Sequence, residues 1–203
     1  MEFVFSLVTD QLNVKICQIQ PNESFYLEKY PLNTIDRERL LFFSNKEKKL
    51  EFLAGRACAW EVTEYKVEFE CFENTPPKAE CGFLSLAHTN GYAAAAYHKT
   101  KKIGIDIERQ NRNIRNNILK RFANYDELSN IKTNKDKLKL WCAKEAVYKA
   151  GHTKGLEFKT NVKIRWLKTG HGVGTIEYLK NLQSFHLTYF EREEIVCVIA
   201  IEI

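Results

Sequence analysis

The chain has 203 residues, of which 44% are hydrophobic and 12% aromatic, and its formal net charge is +5. This composition excludes a disordered chain, and the length is enough for one large domain or two small ones with a proper core. The charge is too small to indicate nucleic-acid binding, but it suits a polyanionic small molecule or an acidic protein partner.

The cysteines and the N-terminal segment indicate the compartment that we expect. No two of the six cysteines form a C-x-x-C pair, and no histidines stand at zinc-site spacing, so the sequence predicts no structural zinc. The first ten residues lack a basic region and end at Asp10, and no apolar run is long enough to span a membrane. We therefore expect a cytoplasmic protein with reduced thiols and no membrane contact.

The first third of the chain combines two strand patterns with two helix patterns. Strands are predicted over 3–8 and 14–19, and a loop is predicted over 21–31. One helix is predicted from Thr34, and a second follows Ser44, which we interpret as its N-terminal cap. The apolar stripe of this second helix is predicted to be buried and consists of Leu50, Leu53, Ala54, Ala57 and Cys58.

The next segment predicts a strand, a turn-rich loop and a hairpin. Residues 62–72 have a weak strand pattern, and the loop that follows ends in P-K-A at 77–79. N-G at 90–91 lies between two apolar runs, which predicts a hairpin over 83–97. His88 lies just before that turn.

Two motifs carry most of the chemical information. In K-K-I-G-I-D-I-E-R at 101–109, isoleucines alternate with small and acidic residues, which predicts a strand with Asp106 and Glu108 on one face. In W-C-A-K-E-A-V-Y-K-A, Glu145 and Lys149 stand four apart and share one helix face. Alone, these patterns indicate a solvated strand face and a surface ion pair. Together, three carboxylates that converge on one point suit a hard cation such as Mg²⁺.

The remaining segments are less informative. Residues 111–134 are polar and predicted to be mobile, apart from a helix that begins at Ile118, and the helix with Glu145 is predicted to end near Gly151. Four strands are predicted in the C-terminal tail, over 162–167, 174–178, 185–190 and 195–201.

G-I-D-I-E followed by W-x-x-K-E-A-x-x-K resembles the signature pair of the surfactin-synthetase-type 4'-phosphopantetheinyl transferases, within the acyl-carrier-protein synthase superfamily. The resemblance implies an α+β fold of two similar halves in a pseudo-twofold arrangement, with the active site at the seam. Residues 1–98 would form the coenzyme A phosphate side, and residues 99–203 the metal-binding side with the catalytic helix. A weak internal repeat fits this expectation, because 52–60 aligns with 141–149.

The resemblance also implies an activity and a set of site residues. The enzyme would transfer the 4'-phosphopantetheine arm of coenzyme A to a serine of an apo acyl or peptidyl carrier protein, with Mg²⁺, and release 3',5'-ADP. Asp106, Glu108 and Glu145 would hold the metal, Glu145 or a metal-bound water would act as base, and Lys149 would stabilise or protonate the departing phosphate. Contacts to coenzyme A are expected from Arg56, Lys78, His88, Thr89, Asp106 and Lys144.

Two departures from the family pattern leave a second class of function open. The family's S-H-S triplet, which grips the 3'-phosphate of coenzyme A, is A-H-T at 87–89, and its G-K-P loop is P-K-A at 77–79. These changes are compatible with a coenzyme A-binding module of low activity. A nucleic-acid-binding protein is a third interpretation, disfavoured because the lysines at 99–102 and 132–139 lack interleaved aromatics. Since both halves are in one chain, we expect a monomer whose segment 111–134 lies beside the docked carrier protein.

Overall fold

The computed structural model describes residues 1–70, 77–168 and 170–203. The chain divides into two compact units, Met1–Lys101 and Lys102–Ile203, each with helices, antiparallel strands and a hydrophobic core cluster. The predicted α+β class is therefore confirmed. Among the described residues, no helix is both long and apolar enough to span a membrane.

Unit 1 is built around a four-stranded antiparallel sheet with the order β1-β2-β6-β5. Its long helix α3 packs on β6, β2 and β5, and β3 pairs with β4 as a separate two-stranded ladder. The elements in chain order are β1 (Phe3–Val8), β2 (Leu12–Gln18), α1 (Glu23–Lys29), α2 (Thr34–Phe42), α3 (Lys46–Val62), β3 (Phe69–Glu70), β4 (Lys78–Ala79), β5 (Phe83–Thr89) and β6 (Tyr92–His98).

The packing of α3 against the sheet follows from its sequence. Asn45 caps the helix by accepting a hydrogen bond from the backbone N–H of Lys48. The predicted apolar stripe is buried against the small side chains of β6, so that prediction is confirmed. The hairpin of β5 and β6 is also confirmed, with a turn at Gly91, whose φ of 80° favours glycine.

Two predictions for unit 1 are corrected. Residues 21–31 were expected to be a loop, but they contain α1, which Asn22 caps and whose Tyr26 is buried. The strand predicted over 62–72 is wrong over 62–68, because Val62 ends α3, and it is confirmed only at Phe69–Glu70. Residues 71–76, which include part of that strand and of the predicted loop, lie outside the described residues.

Unit 2 is built around a five-stranded antiparallel sheet with the order β7-β11-β10-β9-β8, and its long helix α6 packs on all five strands. The four predicted tail strands and the end of α6 at Gly151 are confirmed. The elements in chain order are β7 (Ile103–Arg109), α4 (Asn116–Phe122), α5 (Tyr125–Ser129), α6 (Asn134–Gly151), α7 (Phe158–Asn161), β8 (Val162–Lys168), β9 (His171–Tyr178), β10 (Asn181–Arg192) and β11 (Ile195–Glu202).

The segment 111–134 is more regular than the sequence indicated. It contains α4, as predicted from Ile118, and also α5, which was not predicted. Leu119 and Phe122 of α4 are buried in the core cluster of unit 2. These apolar contacts give the segment a fixed place on the unit.

The strand with the carboxylates lies in direct backbone contact with α6. A Cβ atom on Gly104 would stand 1.9 Å from the carbonyl oxygen of Ala146 and 2.7 Å from the backbone nitrogen of Ala150. Only glycine therefore permits this approach, and Ala146 and Ala150 are small enough to lie under the strand. The glycine of G-I-D-I-E thus determines how close Asp106 comes to the helix that carries Glu145.

Candidate active site

Asp106 and Glu108 point from β7 toward the face of the sheet that α6 covers. Their register partners on β11 are Val198 and Val196, and both valines belong to the core cluster that includes α6. The exposed fractions of Asp106 and Glu108 are only 8% and 7%. The interpretation as a solvated strand face is therefore excluded, and these buried charges need partners.

The two oxygens of Asp106 have different surroundings. Oδ1 accepts a hydrogen bond of 2.8 Å from the Nζ of Lys149, which also donates to the carbonyl oxygen of Ile105 at 3.0 Å. Oδ2 is buried and has no hydrogen-bond partner among the described residues. An unsatisfied buried carboxylate oxygen is costly, and such atoms often mark a place where a ligand or ion binds.

Glu145 lies one helical turn before Lys149 and interacts electrostatically with Asp106. Burial and, second to it, the negative charge of Asp106 raise the pKa of Glu145 to about 7, although Lys149 and Arg112 act in the opposite direction. The pair of acids is therefore deficient in positive charge. This is the electrostatic environment that a cation would relieve.

Glu108 is held by two groups of unit 2 that the sequence analysis did not identify as a set. Its Oε1 accepts a hydrogen bond of 3.1 Å from the indole N–H of Trp141 and forms an ion pair with Arg112. The guanidinium of Arg112 also lies 5.2 Å from the centre of the Trp141 ring. In the described ranges, no group of three or more His, Cys, Asp or Glu side chains is arranged to hold a metal ion.

The residues of this site nevertheless fit a divalent cation in their chemistry. Asp106 offers a free, buried oxygen, and the carboxylate of Glu145 is electrostatically coupled to it. Both are hard oxygen ligands of the kind that Mg²⁺ prefers. Glu108, whose Oε1 is held by Trp141 and Arg112, is the third carboxylate of the predicted trio.

Lys144 has a different position from the one expected of a phosphate ligand. Its side chain is 0% exposed, and its ammonium bonds to the carbonyl oxygens of Phe158 at 2.8 Å and Val162 at 2.7 Å. A third bond of 2.8 Å goes to Glu127. Because an ammonium has three N–H donors, none is left for coenzyme A, and the expected phosphate contact is corrected to a buried anchor.

In unit 1, His88 and Thr89 lie at the end of β5, next to the hairpin turn. The side chain of His88 is about half exposed, and its Nε2 stands 3.4 Å from Oε2 of Glu51. Glu51 also forms an ion pair of 2.6 Å with Lys48. An anion that binds His88 would therefore meet a carboxylate beside the imidazole.

Arg56 and Lys78 have different environments within unit 1. The Nε of Arg56 donates to Oδ2 of Asp36 at 2.8 Å, its guanidinium lies 4.2 Å from the centre of the Phe52 ring, and both charged groups are buried. Lys78 is exposed on β4, at the edge of a cavity of about 750 Å³ whose lining includes Trp60. Arg56 is thus already paired, whereas Lys78 is open to a ligand.

Comparison with known proteins bears on unit 2. Residues 102–200 match the family model of the 4'-phosphopantetheinyl transferase superfamily. The match covers nearly all of unit 2, and this similarity supports a transferase of that type. A search of curated proteins gave no match.

The sequence analysis did not identify two residues of the site, Glu127 and Arg112, and only Glu127 belongs to a recognisable sequence motif. Glu127 follows Asn124 by three positions, which is the spacing of a capping box, so the start of α5 could have been predicted. Arg112 lies in an irregular segment three residues after the end of β7. Nothing in its sequence context places it beside Glu108.

Proposed function

We propose that the protein transfers the 4'-phosphopantetheine arm of coenzyme A to a serine hydroxyl of an apo carrier protein and releases 3',5'-ADP, as a surfactin-synthetase-type transferase. The superfamily match of unit 2 supports the class of reaction. The observation that carries the proposal is the buried, unpartnered Oδ2 of Asp106 beside the acidic Glu145. Such an arrangement is a cost to the fold unless a ligand relieves it.

Asp106 and Glu145 would hold the Mg²⁺, with Glu108 as a third ligand beside its ion pair with Arg112. The bound ion would supply positive charge to the pyrophosphate of coenzyme A, where negative charge develops as the phosphate bond breaks. The donor set fits this task because all three ligands are carboxylates.

Lys149 is suited to contact the departing phosphate. Two of its three N–H donors are used by Asp106 and by the carbonyl oxygen of Ile105, which fix the direction of the ammonium. The third donor is available to a phosphate oxygen. Glu145, directly or through a water that it orients, would take the proton of the serine hydroxyl.

The acceptor would dock on the surface of α4 and α5. Tyr125 is 85% exposed and Ile118 is 40% exposed, so both side chains are accessible to a partner. The exposed cations Arg115, Lys120 and Arg121 lie on and before α4. An acidic carrier protein with an apolar contact residue matches this surface in charge and in polarity.

Unit 1 would supply contacts to the nucleotide part of coenzyme A. His88 and Thr89 are proposed for the 3'-phosphate, and Lys78 for a second anionic group. Arg56 is proposed to support this side through its ion pair with Asp36, since its Nε is already used there. The carboxylate of Glu51 beside His88 is expected to weaken phosphate binding.

Incubation of the protein with coenzyme A, Mg²⁺ and an apo carrier protein tests the proposal. We expect the carrier protein to gain the mass of the arm and 3',5'-ADP to appear in equal amount. A carrier protein with alanine in place of its acceptor serine is the control and must stay unmodified. Calorimetric binding of coenzyme A without transfer would instead indicate a binding module, and neither binding nor transfer would contradict both interpretations.

A further inference from the structure

One carboxylate of unit 2 connects three elements around the buried Lys144. Oε2 of Glu127 accepts from the ammonium of Lys144 at 2.8 Å and from the backbone N–H of Asn124 at 2.9 Å. Oε1 of Glu127 accepts from the backbone N–H of Ile164 at 3.0 Å. The same residue therefore closes the capping box of α5, binds β8 and anchors α6.

The charges of this network are paired and hydrogen-bonded, which is the condition for keeping them inside a protein. Lys144 also donates to the carbonyl oxygens of Phe158, the first residue of α7, and Val162, the first residue of β8. Hydrogen bonds are directional, whereas apolar packing of the same helix face would allow α6 to rotate about its axis. The network therefore fixes the rotation of α6 about its axis.

We infer that Glu127 and Lys144 are positioning residues that set the direction in which α6 presents Glu145 and Lys149 to Asp106. Successive residues of a helix point about 100° apart, so fixing Lys144 also fixes its neighbour Glu145. The functional meaning of this inference rests on the proposed transferase activity, but the anchoring of α6 does not. Glu127 lies in the segment proposed to dock the carrier protein, so the docking surface and the catalytic helix share one anchor.

Steady-state kinetics separate positioning from direct contact. Glu127→Gln and Lys144→Met should each lower kcat by about ten- to a hundredfold while KM for coenzyme A changes by less than about twofold. The double variant should be no slower than the single ones, because both act through one network. Lys163→Met and Glu177→Gln break an ion pair of 2.9 Å on the surface of the same unit and should leave kcat unchanged.

The opposite pattern would overturn the inference. If Lys144 contacts phosphate, Lys144→Met raises KM for coenzyme A, Glu127→Gln leaves the kinetics unchanged, and the two effects are independent. The inference is equally contradicted if the surface variants Lys163→Met and Glu177→Gln lower kcat as much as the buried ones do.

Hydrogen exchange provides a readout that does not depend on activity. Amides of residues 141–149 should exchange faster in both buried variants, and amides of unit 1 should stay unchanged. Unchanged exchange over 141–149 would contradict the anchoring even if kcat fell. If Glu127→Gln does not fold, Glu127→Asp is measured in the same way, since it keeps the charge but withdraws the carboxylate from Lys144. A wild-type protein without transfer activity would refute the proposed function, and the exchange result would still decide the anchoring.

Discussion

The position of Glu145 beside Asp106 disfavours its ionised form, and this makes the free energy of unfolding depend on pH. Burial and the charge of Asp106 raise the pKa of Glu145 from 4.5 to about 7 in the folded protein. Between these two values the folded state binds one proton more than the unfolded state. The free energy of unfolding therefore falls as the pH rises through this window.

Replacement of Glu145 by glutamine should remove this pH dependence. In metal-free buffer the wild type should lose on the order of 2–3 kcal/mol between pH 4.5 and pH 7, because one pKa unit corresponds to about 1.4 kcal/mol. Urea denaturation of wild type and Glu145→Gln at pH 5 and pH 8 measures the difference. Glu177→Gln, at an exposed position, should behave as wild type does, and parallel pH profiles for all three proteins would refute the assignment.

His88 allows a test of the nucleotide side. His88→Ala should weaken binding of coenzyme A about ten- to a hundredfold, as expected for the loss of a hydrogen bond to a charged group, which is worth roughly 1.5–3 kcal/mol. Dephospho-coenzyme A should bind equally well to both proteins, because it lacks the 3'-phosphate. Calorimetry with both ligands measures this, and equal losses would give His88 a structural role. Glu51→Gln should strengthen binding of coenzyme A, since it removes a negative charge 3.4 Å from His88.

The contact between β7 and α6 gives a prediction with a matched control. Gly104→Ala would place a methyl group 1.9 Å from the carbonyl oxygen of Ala146. Because this oxygen belongs to the backbone of α6, the clash is relieved only if the strand shifts away from the helix. We expect a loss of about 1–3 kcal/mol or more and a lower transfer rate. Gly55→Ala in α3 meets nothing within 4 Å and should raise stability by about 0.5–1 kcal/mol. Thermal unfolding of both variants measures these changes in stability. A Gly104→Ala protein as stable as wild type would show that the fold does not need the close contact between β7 and α6.

Elements with a strong hydrophobic period were predicted, and two short helices that depend on polar caps were not. The alternation in β7, the apolar stripe of α3 and the N-G turn each determine their structure locally. The short α1 and α5 depend on the caps Asn22 and Asn124, and each has only one buried residue. Such short helices carry too few apolar positions for a period to be visible.

The proximity of the two motifs was predictable from the sequence, but the partners of their side chains were not. Asp106, Glu145 and Lys149 lie together as the spacing of the two motifs indicated. The direction of a long side chain depends on tertiary neighbours, and for that reason neither the turn of Glu108 toward Arg112 nor the burial of Lys144 could be predicted. Sequence spacing gives the helix face, and only the packed structure gives the partner.

The connectivity of the two units bears on the oligomeric state. In each unit the strand that precedes the long helix pairs with the last strand of a hairpin, β2 with β6 and β7 with β11. The carboxylate pair of β7 has no counterpart in β2, so one chain encodes one such pair. We therefore predict a monomer of 23.7 kDa by gel filtration with light scattering. A stable dimer at assay concentrations would contradict this expectation.

Intact-mass spectrometry of an apo carrier protein, incubated with coenzyme A and Mg²⁺, tests the central role of Asp106. Wild type and the surface variant Glu177→Gln should both modify the carrier protein. Asp106→Asn should keep its fold but fail to modify the carrier protein, because the substitution replaces the carboxylate that contains the buried Oδ2 by an uncharged amide. Addition of a chelator should stop the wild type as well. Complete modification of the carrier protein by Asp106→Asn at the wild-type rate would contradict the assignment of this carboxylate as the centre of the site.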